Sequence, residues 1–308
     1  MCELFPRELA CLMQAVGHPL GDKVQIDLPH GGAGVFSCPT NPEERILMRT
    51  LFIGDVFGKP GRRLLQEKLH AIIQENRIDF CIANIENAAA GFGITPQIAD
   101  EMLNWEIDLL TSGNHIWDKR AILPYLPEQP RLLRPHNYPK GTPGSGIYVG
   151  DTACGVRVGV LNLQGRVFMA NIDCPFVAGL AAIEQIRRQT SVIIVDFHAE
   201  ATSEKQAFGW YVDGRVSAVI GTHTHVQTAD ERILPRGTAY ITDCGMTGPH
   251  DSVIGSVPDL ALDRFLTQIP VRLEPASGNL RICGVIVDID ESTGHGRNIQ
   301  RINLSYNL

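Results

Sequence analysis

The sequence predicts an α/β fold, and three observations carry that prediction. Short apolar runs rich in β-branched residues recur along the chain, stretches of helical period alternate with them, and five of the runs stop at a residue able to ligate a metal. The chain has 308 residues, enough to bury a sizeable core in one large domain or two smaller ones. Its composition, 44% hydrophobic and 20% charged, is that of an ordinary globular protein. A formal net charge of -7 argues against broad binding to the backbone of duplex nucleic acid. No basic leader with an apolar core and no apolar run near about eighteen residues is present, so neither a secretory signal nor a membrane span is expected. The eight cysteines are scattered without a C-x-x-C and read as reduced thiols, which makes the cytoplasm the expected compartment.

In chain order, residues 1–47 come first and lack sustained periodicity. A weak apolar segment from Leu9 leads into a Gly/Pro-rich stretch around His30-Gly-Gly-Ala-Gly34 and Cys38-Pro-Thr-Asn-Pro42. A loosely structured extension is expected there, with the folded domain over 48–308 and Met48 as the true start. Residues 50–54 (Thr-Leu-Phe-Ile-Gly) form a buried-strand run, 58–61 (Gly-Lys-Pro-Gly) a turn, and 62–76 a helix with Leu65, Leu69, Ile72 and Ile73 on one face. A strand at 80–85 precedes a helix that Thr95-Pro96 caps and opens and that runs to about 104, followed by a strand at 107–111. The stretch 124–146 is rich in proline, glycine and arginine, and a connection of that length is more often functional than filler. Strands at 156–163, 191–197, 217–220 and 238–243 then alternate with helices near 177–189 and 203–211. A helix at 259–266 and a strand at 280–289 complete the series.

At the strand ends stand Asp55, the pair Glu86-Asn87, the pair Asn114-His115, His198, and His223 with His225. The crevice beyond the carboxyl edge of an open α/β sheet is where ligands bind, so groups far apart in sequence can meet there. Two carboxylates, amide oxygens and three imidazoles offer enough oxygen and nitrogen donors for two divalent cations. On extended backbone His223 and His225 lie on the same side, which by itself would let both face a single ion.

Longer strings are more specific than these single positions. Gly54-Asp-Val-Phe-Gly-Lys-Pro-Gly61, Glu86-Asn87, Gly113-Asn-His115, Gly165-Arg-Val-Phe168, Asp196-Phe-His-Ala-Glu200, Thr202-Ser-Glu-Lys205, Gly221-Thr-His-Thr-His225 and Thr242-Asp-Cys-Gly-Met-Thr-Gly248 are the strings concerned. Together they resemble the ordered blocks of the calcineurin-like metallophosphoesterases, and most closely the bacterial YmdB-type branch, from Arg49 to about Leu304. The resemblance implies a four-layer α/β/β/α sandwich of two mixed β-sheets flanked by helices, in one metallophosphoesterase domain over 48–308. It implies a metal set in which Asp55, Glu86, Asn87 and His225 surround one ion while Glu86, Asn114, His198 and His223 surround another. Glu86 then bridges the two, and His223 and His225 serve different ions. The wider superfamily reads Asp-x-His in its first block; here Phe57 stands in the histidine's place and cannot ligate, with Asn87 taking over part of that role.

By the same resemblance His115 is the catalytic residue that stabilises or protonates the departing oxygen, as an imidazole can. The implied reaction is hydrolysis of cyclic nucleotides, 2',3'-cyclic, 3',5'-cyclic or both, by in-line attack of a metal-bridging hydroxide. Two divalent ions, of iron, manganese or zinc, are the implied cofactors, and the partner is a small phosphodiester with neither duplex nucleic acid nor membrane. A homo-oligomer is left open. Two alternatives stand beside this one: a phosphomonoesterase or nucleotidase on the same scaffold, and a regulatory protein with a structural metal site. Two further stretches invite functional roles. Thr95 either caps its helix or meets substrate phosphate there. Arg131, Arg134, His136 and Tyr138 either flank the mouth of the site, with Arg134 forking onto phosphate, or are solvated loop residues.

Overall fold

The computed structural model describes residues 24–27, 33–36 and 47–306. Strands β1 (Val24–Asp27) and β2 (Ala33–Phe36) pair antiparallel as a ribbon separate from the two main sheets. The rest of the expected loose extension over 1–47 lies outside the described residues, apart from Leu47 itself. The chain then runs through β3 (Leu47–Ile53), β4 (Asp55–Val56), α1 (Gly58–Asn76), β5 (Phe80–Asn84), α2 (Pro96–Leu103), β6 (Leu109–Thr111), a 3-10 turn (Asn114–Trp117) and α3 (Ile122–Tyr125). Next come β7 (Ile147–Asp151), β8 (Arg157–Gln164), α4 (Pro175–Ile186), β9 (Ile193–His198), α5 (Thr202–Val212) and β10 (Ala218–Thr222). Strands β11 (Arg232–Ile233), β12 (Ala239–Ile241) and β13 (Met246–Pro249), helix α6 (Pro258–Thr267), and strands β14 (Leu280–Asp290) and β15 (Gly296–Tyr306) follow.

These strands form two mixed sheets. The larger has the order β4-β13-β14-β3-β5-β6, with β15 paired to β14, and the smaller the order β11-β12-β10-β9-β8-β7. In the larger sheet β3 runs parallel with β5 and β6 and antiparallel with the central β14, and in the smaller β8, β9, β10 and β12 run parallel.

The unbroken apolar runs follow from burial on both strand faces. Alternate residues of one strand enter different cores: Met48 and Phe52 of β3 join Val160, Ile194 and Ile220 of the smaller sheet, while Leu51 and Ile53 pack with Leu65, Leu69 and Ile73 of α1. Likewise Leu161, Val195 and Phe197 turn away from the other sheet to meet Ile183 and Ile186 of α4 and Phe208 and Val212 of α5.

The expected turn at 58–61 is a correction: α1 begins at Gly58. Pro60 does not prevent this, because the first N–H groups of a helix have no intrahelical partner to lose. The third strand begins at Leu109. Thr95 caps α2 as expected, its hydroxyl accepting the Ile98 N–H. Among the described residues no helix is long and apolar enough to cross a membrane.

Candidate metal centre

The strand ends of both sheets converge at one edge. Asp55 opens β4 directly after β3, Glu86 and Asn87 follow β5, Asn114 and His115 lie in the 3-10 turn after β6, His198 ends β9, and His223 and His225 follow β10. Every carboxylate or amide oxygen in this set comes from the larger sheet, and the imidazoles of His198, His223 and His225 come from the smaller one. A buried polar bridge ties the sheets beneath them. Asn84 donates from Nδ2 to Asp196 Oδ2 (3.0 Å), while Asn162 of β8 donates to the Ser112 carbonyl (2.9 Å) and accepts the Ser112 N–H (3.2 Å).

Two groups of donor atoms result, each gathered within 4.8 Å: Glu86 with His198 and His223, and Asp55 with Glu86 and His225. Glu86 belongs to both. In the first group His198 Nε2 lies 3.0 Å from Glu86 Oε1, 3.1 Å from Asn114 Oδ1 and 3.0 Å from His223 Nδ1. In the second, His225 Nε2 lies 3.2 Å from Asn87 Oδ1.

The hydrogen-bond chemistry of the second group suits a cation. His225 Nδ1 faces the Ile254 carbonyl at 2.8 Å and must carry the ring proton, so Nε2 presents a lone pair. Asn87 has already donated Nδ2–H to the Gly91 carbonyl (2.9 Å), so its Oδ1 presents another. Lone pair therefore faces lone pair, beside a buried Asp55 Oδ1 that has no hydrogen-bond partner among the described residues. Donors arranged this way fit a divalent ion and little else.

The surroundings orient these side chains in the way that outer partners orient the ligands of a metal site. His198 Nδ1 meets Thr222 Oγ1 (2.9 Å), whose hydroxyl donates to Asp196 Oδ1 (2.7 Å). The His223 N–H donates to Asp55 Oδ2 (3.1 Å), and Glu200 Oε2 lies 3.2 Å from His223 Nε2. Buried Asp243 accepts from Lys205 Nζ (2.7 Å) and from the Thr224 N–H and hydroxyl (3.0 and 2.8 Å), fixing the turn between the two histidines. Both histidines have positive φ, +105° at His223 and +64° at His225, a conformation that non-glycine residues keep only where the structure over-determines it. At Gly113 a Cβ would run into the His198 ring and the Glu86 carboxylate, so only glycine lets the chain cross here.

Charge is polarised across the centre. Burial opposes ionisation of Glu86, yet the adjacent His198 holds its carboxyl down to about 2. Burial likewise opposes the charged form of His198, but Glu86 and Asp55 lift it to about 9. Burial, with the His198 charge added, drives His223 down to about 3, and burial lowers His225. Asp55 is pushed well above the usual carboxylate range, chiefly by burial.

All seven residues expected as ligands are brought together. His115, expected to act on substrate, sits beside them: its N–H donates to Glu86 Oε2 (3.1 Å), its Nδ1 meets Asp118 Oδ2 (2.9 Å), and Phe92 packs edge-on against its ring. Phe57 packs edge-on against His225. Arg134 is a correction: its guanidinium donates to the carbonyls of Pro135, His136, Thr142, Pro143 and Gly144, so it ties its own loop together instead of meeting phosphate. Tyr138 bonds Gln164 (3.0 Å) and packs on Trp117. Asp118, Glu200 and Thr222 were not legible as site residues; Asp118 stands three residues from His115 and Glu200 two from His198, and that proximity is the one signal available.

A profile of the family described as YmdB-like protein matches residues 51–302. The 2',3'-cyclic-nucleotide 2'-phosphodiesterase of Bacillus subtilis (strain 168) is 50% identical over 256 residues, covering 83% of this chain and 96% of that protein. Among solved structures, a hypothetical protein from Thermus thermophilus is similar with a TM-score of 0.79 at 40% identity, covering 84% of this chain and 100% of that one. A novel phosphatase from Mycoplasma pneumoniae has a TM-score of 0.79 at 32% identity, covering 84% and 94%.

Proposed function

The chain belongs to the YmdB-like protein family, and from that premise we propose that it is a metal-dependent phosphodiesterase acting on cyclic nucleotides. The observation that carries the proposal is the pair of donor groups sharing Glu86. Asp55, Glu86, Asn87 and His225 would hold one divalent cation, and Glu86, Asn114, His198 and His223 a second. Bound there, such ions lower the pKa of water and stabilise charge on phosphoryl oxygens. The mixed oxygen and nitrogen donors suit iron, manganese or zinc.

The chain's own residues supply the rest. With Nδ1 engaged by Asp118, the His115 imidazole has Nε2 left to give a proton to the departing oxygen. The Thr222–Asp196 and Ile254 contacts fix the His198 and His225 rings. The three apolar clusters support a four-layer α/β/β/α sandwich in a domain over 48–308. The Bacillus relative supports 2',3'-cyclic nucleotides as substrate, and 3',5'-cyclic nucleotides belong to the same proposal. A phosphomonoesterase is the second reading, favoured by the Mycoplasma phosphatase.

The test is cation-loaded protein assayed on 2',3'-cyclic AMP, 3',5'-cyclic AMP, bis(p-nitrophenyl) phosphate and p-nitrophenyl phosphate. The diesters are expected to be hydrolysed well ahead of the monoester. The opposite order would establish the monoesterase, and bound cations without any turnover would sink both in favour of a regulatory role.

A further inference from the structure

Phe168, in the loop between β8 and α4, is 90% exposed, the highest value among the large apolar side chains described. Its φ is +61°, the left-handed region that a bulky residue keeps only when its surroundings impose it. The surroundings here do so. The buried Glu204 carboxylate of α5 accepts the backbone N–H of Arg166 (3.0 Å to Oε1, 3.2 Å to Oε2) and of Val167 (3.2 Å), and the Met169 N–H donates to the Arg166 carbonyl (3.2 Å). At Gly165 a Cβ would meet that carboxylate and the Ala199 methyl, so the loop's close approach to Glu204 needs glycine. A buried carboxylate thus holds a turn whose outermost residue is an aromatic ring facing solvent.

The same loop is anchored to the metal centre. The Gly165 N–H donates to the His198 carbonyl (2.9 Å), and β8 runs parallel to β9 with Gln164 in register with His198, so the loop leaves at the edge where the ligands gather. Phe168 is the third residue after Gly165, a reach of about 10 Å at most, which one nucleotide can span between its phosphate and its base.

We propose that Phe168 is the base platform of this site, the aromatic face on which the nucleobase stacks while the cyclic phosphate lies at the donor cluster. This rests on the phosphodiesterase reading and sharpens it to substrates that carry a base. Stacking on an aromatic face accepts any base, so the platform confers selectivity for nucleotides over other cyclic phosphates without selecting one base.

The test compares cation-loaded wild type, Phe168→Leu and Phe168→Trp on 2',3'-cyclic AMP and on glycerol 1,2-cyclic phosphate, which has the same five-membered diester and no base. For Phe168→Leu the ratio of kcat/KM between the two substrates is expected to fall about tenfold, mainly through the KM for 2',3'-cyclic AMP, and Phe168→Trp should keep the wild-type ratio. An unchanged ratio in Phe168→Leu overturns the proposal, whether both activities fall together because the loop supports the centre or neither moves. A lower solution mass of Phe168→Leu with an unchanged ratio would place the ring between copies of the chain instead. Wild type that hydrolyses neither substrate would refute the phosphodiesterase reading itself, a result distinct from all of these.

Discussion

Binding a cation at Glu86, His198 and His223 should expel a proton, and the structure gives its source and size. A metal ligates the neutral imidazole, whereas Glu86 and Asp55 lift His198 to about 9 against the effect of burial. Below that pH the ring is protonated and competes with the metal. Apparent affinity should therefore rise about tenfold per pH unit as pH increases toward 9 and level off above it. At pH 7 the competition amounts to about a hundredfold. Glu86, held down to about 2, is already ionised, and His223, driven down to about 3, is already neutral, so neither adds to the release at this group. Calorimetric titration of chelator-stripped protein with manganese or zinc, in buffers of different ionisation enthalpy, reads the number of protons directly. About one proton per ion at this group is expected at pH 7. A pH-independent affinity between 6 and 9 with no buffer-dependent heat would refute the reasoning.

The remaining predictions concern substitutions. Glu86→Gln should lose metal at both groups by elemental analysis, while His115→Ala should keep its metal and lose about 100-fold or more in kcat; the reverse pattern would exchange the two roles. Thr222→Val should weaken metal binding about 10- to 100-fold in a chelator competition, because the His198 ring loses its link to Asp196, and wild-type affinity would contradict this. Gly113→Ala should abolish metal binding, since its methyl falls on His198 and Glu86; full occupancy would show that the turn can shift. Arg134→Ala should cost about 3 kcal/mol in denaturant unfolding by leaving loop carbonyls unpaired, and an unchanged midpoint would mean that the loop holds itself.

Much of this was legible because the relevant signals are local. Strands such as β5 and β9, apolar on both faces, read as strands without knowledge of their neighbours, and a ligating residue at each strand end marked the crevice. Elements that depend on distant partners did not read. Strand β15 carries Ile299, Ile302 and Leu304 among polar residues at no clean period, and it is a strand because β14 offers it a ladder along its length. Strand β4 has two residues and exists through its pairing with β13, nearly two hundred positions away. Arg134 looked like a phosphate clamp since guanidinium chemistry is the same toward phosphate and toward carbonyl oxygen; only its burial beneath residues 142–144 decides between them. Glu200 contacts His223, twenty-three positions away, a pairing that its nearness to His198 in sequence does not reveal.

Because the oxygen donors belong to one sheet and the imidazoles to the other, an ion in this centre is a clasp across a seam. Each ion that binds makes it harder for the sheets to slide or part, by an amount that grows with the logarithm of ion concentration over its dissociation constant. The relation also runs backwards. A substitution deep between the sheets, at Ile194 or Val285 and far from any ligand, would loosen the grip on the ion by disturbing the alignment of the two halves. The apolar interior is in that sense the hinge pin of the metal site, and tightness of packing and affinity for metal would be selected together.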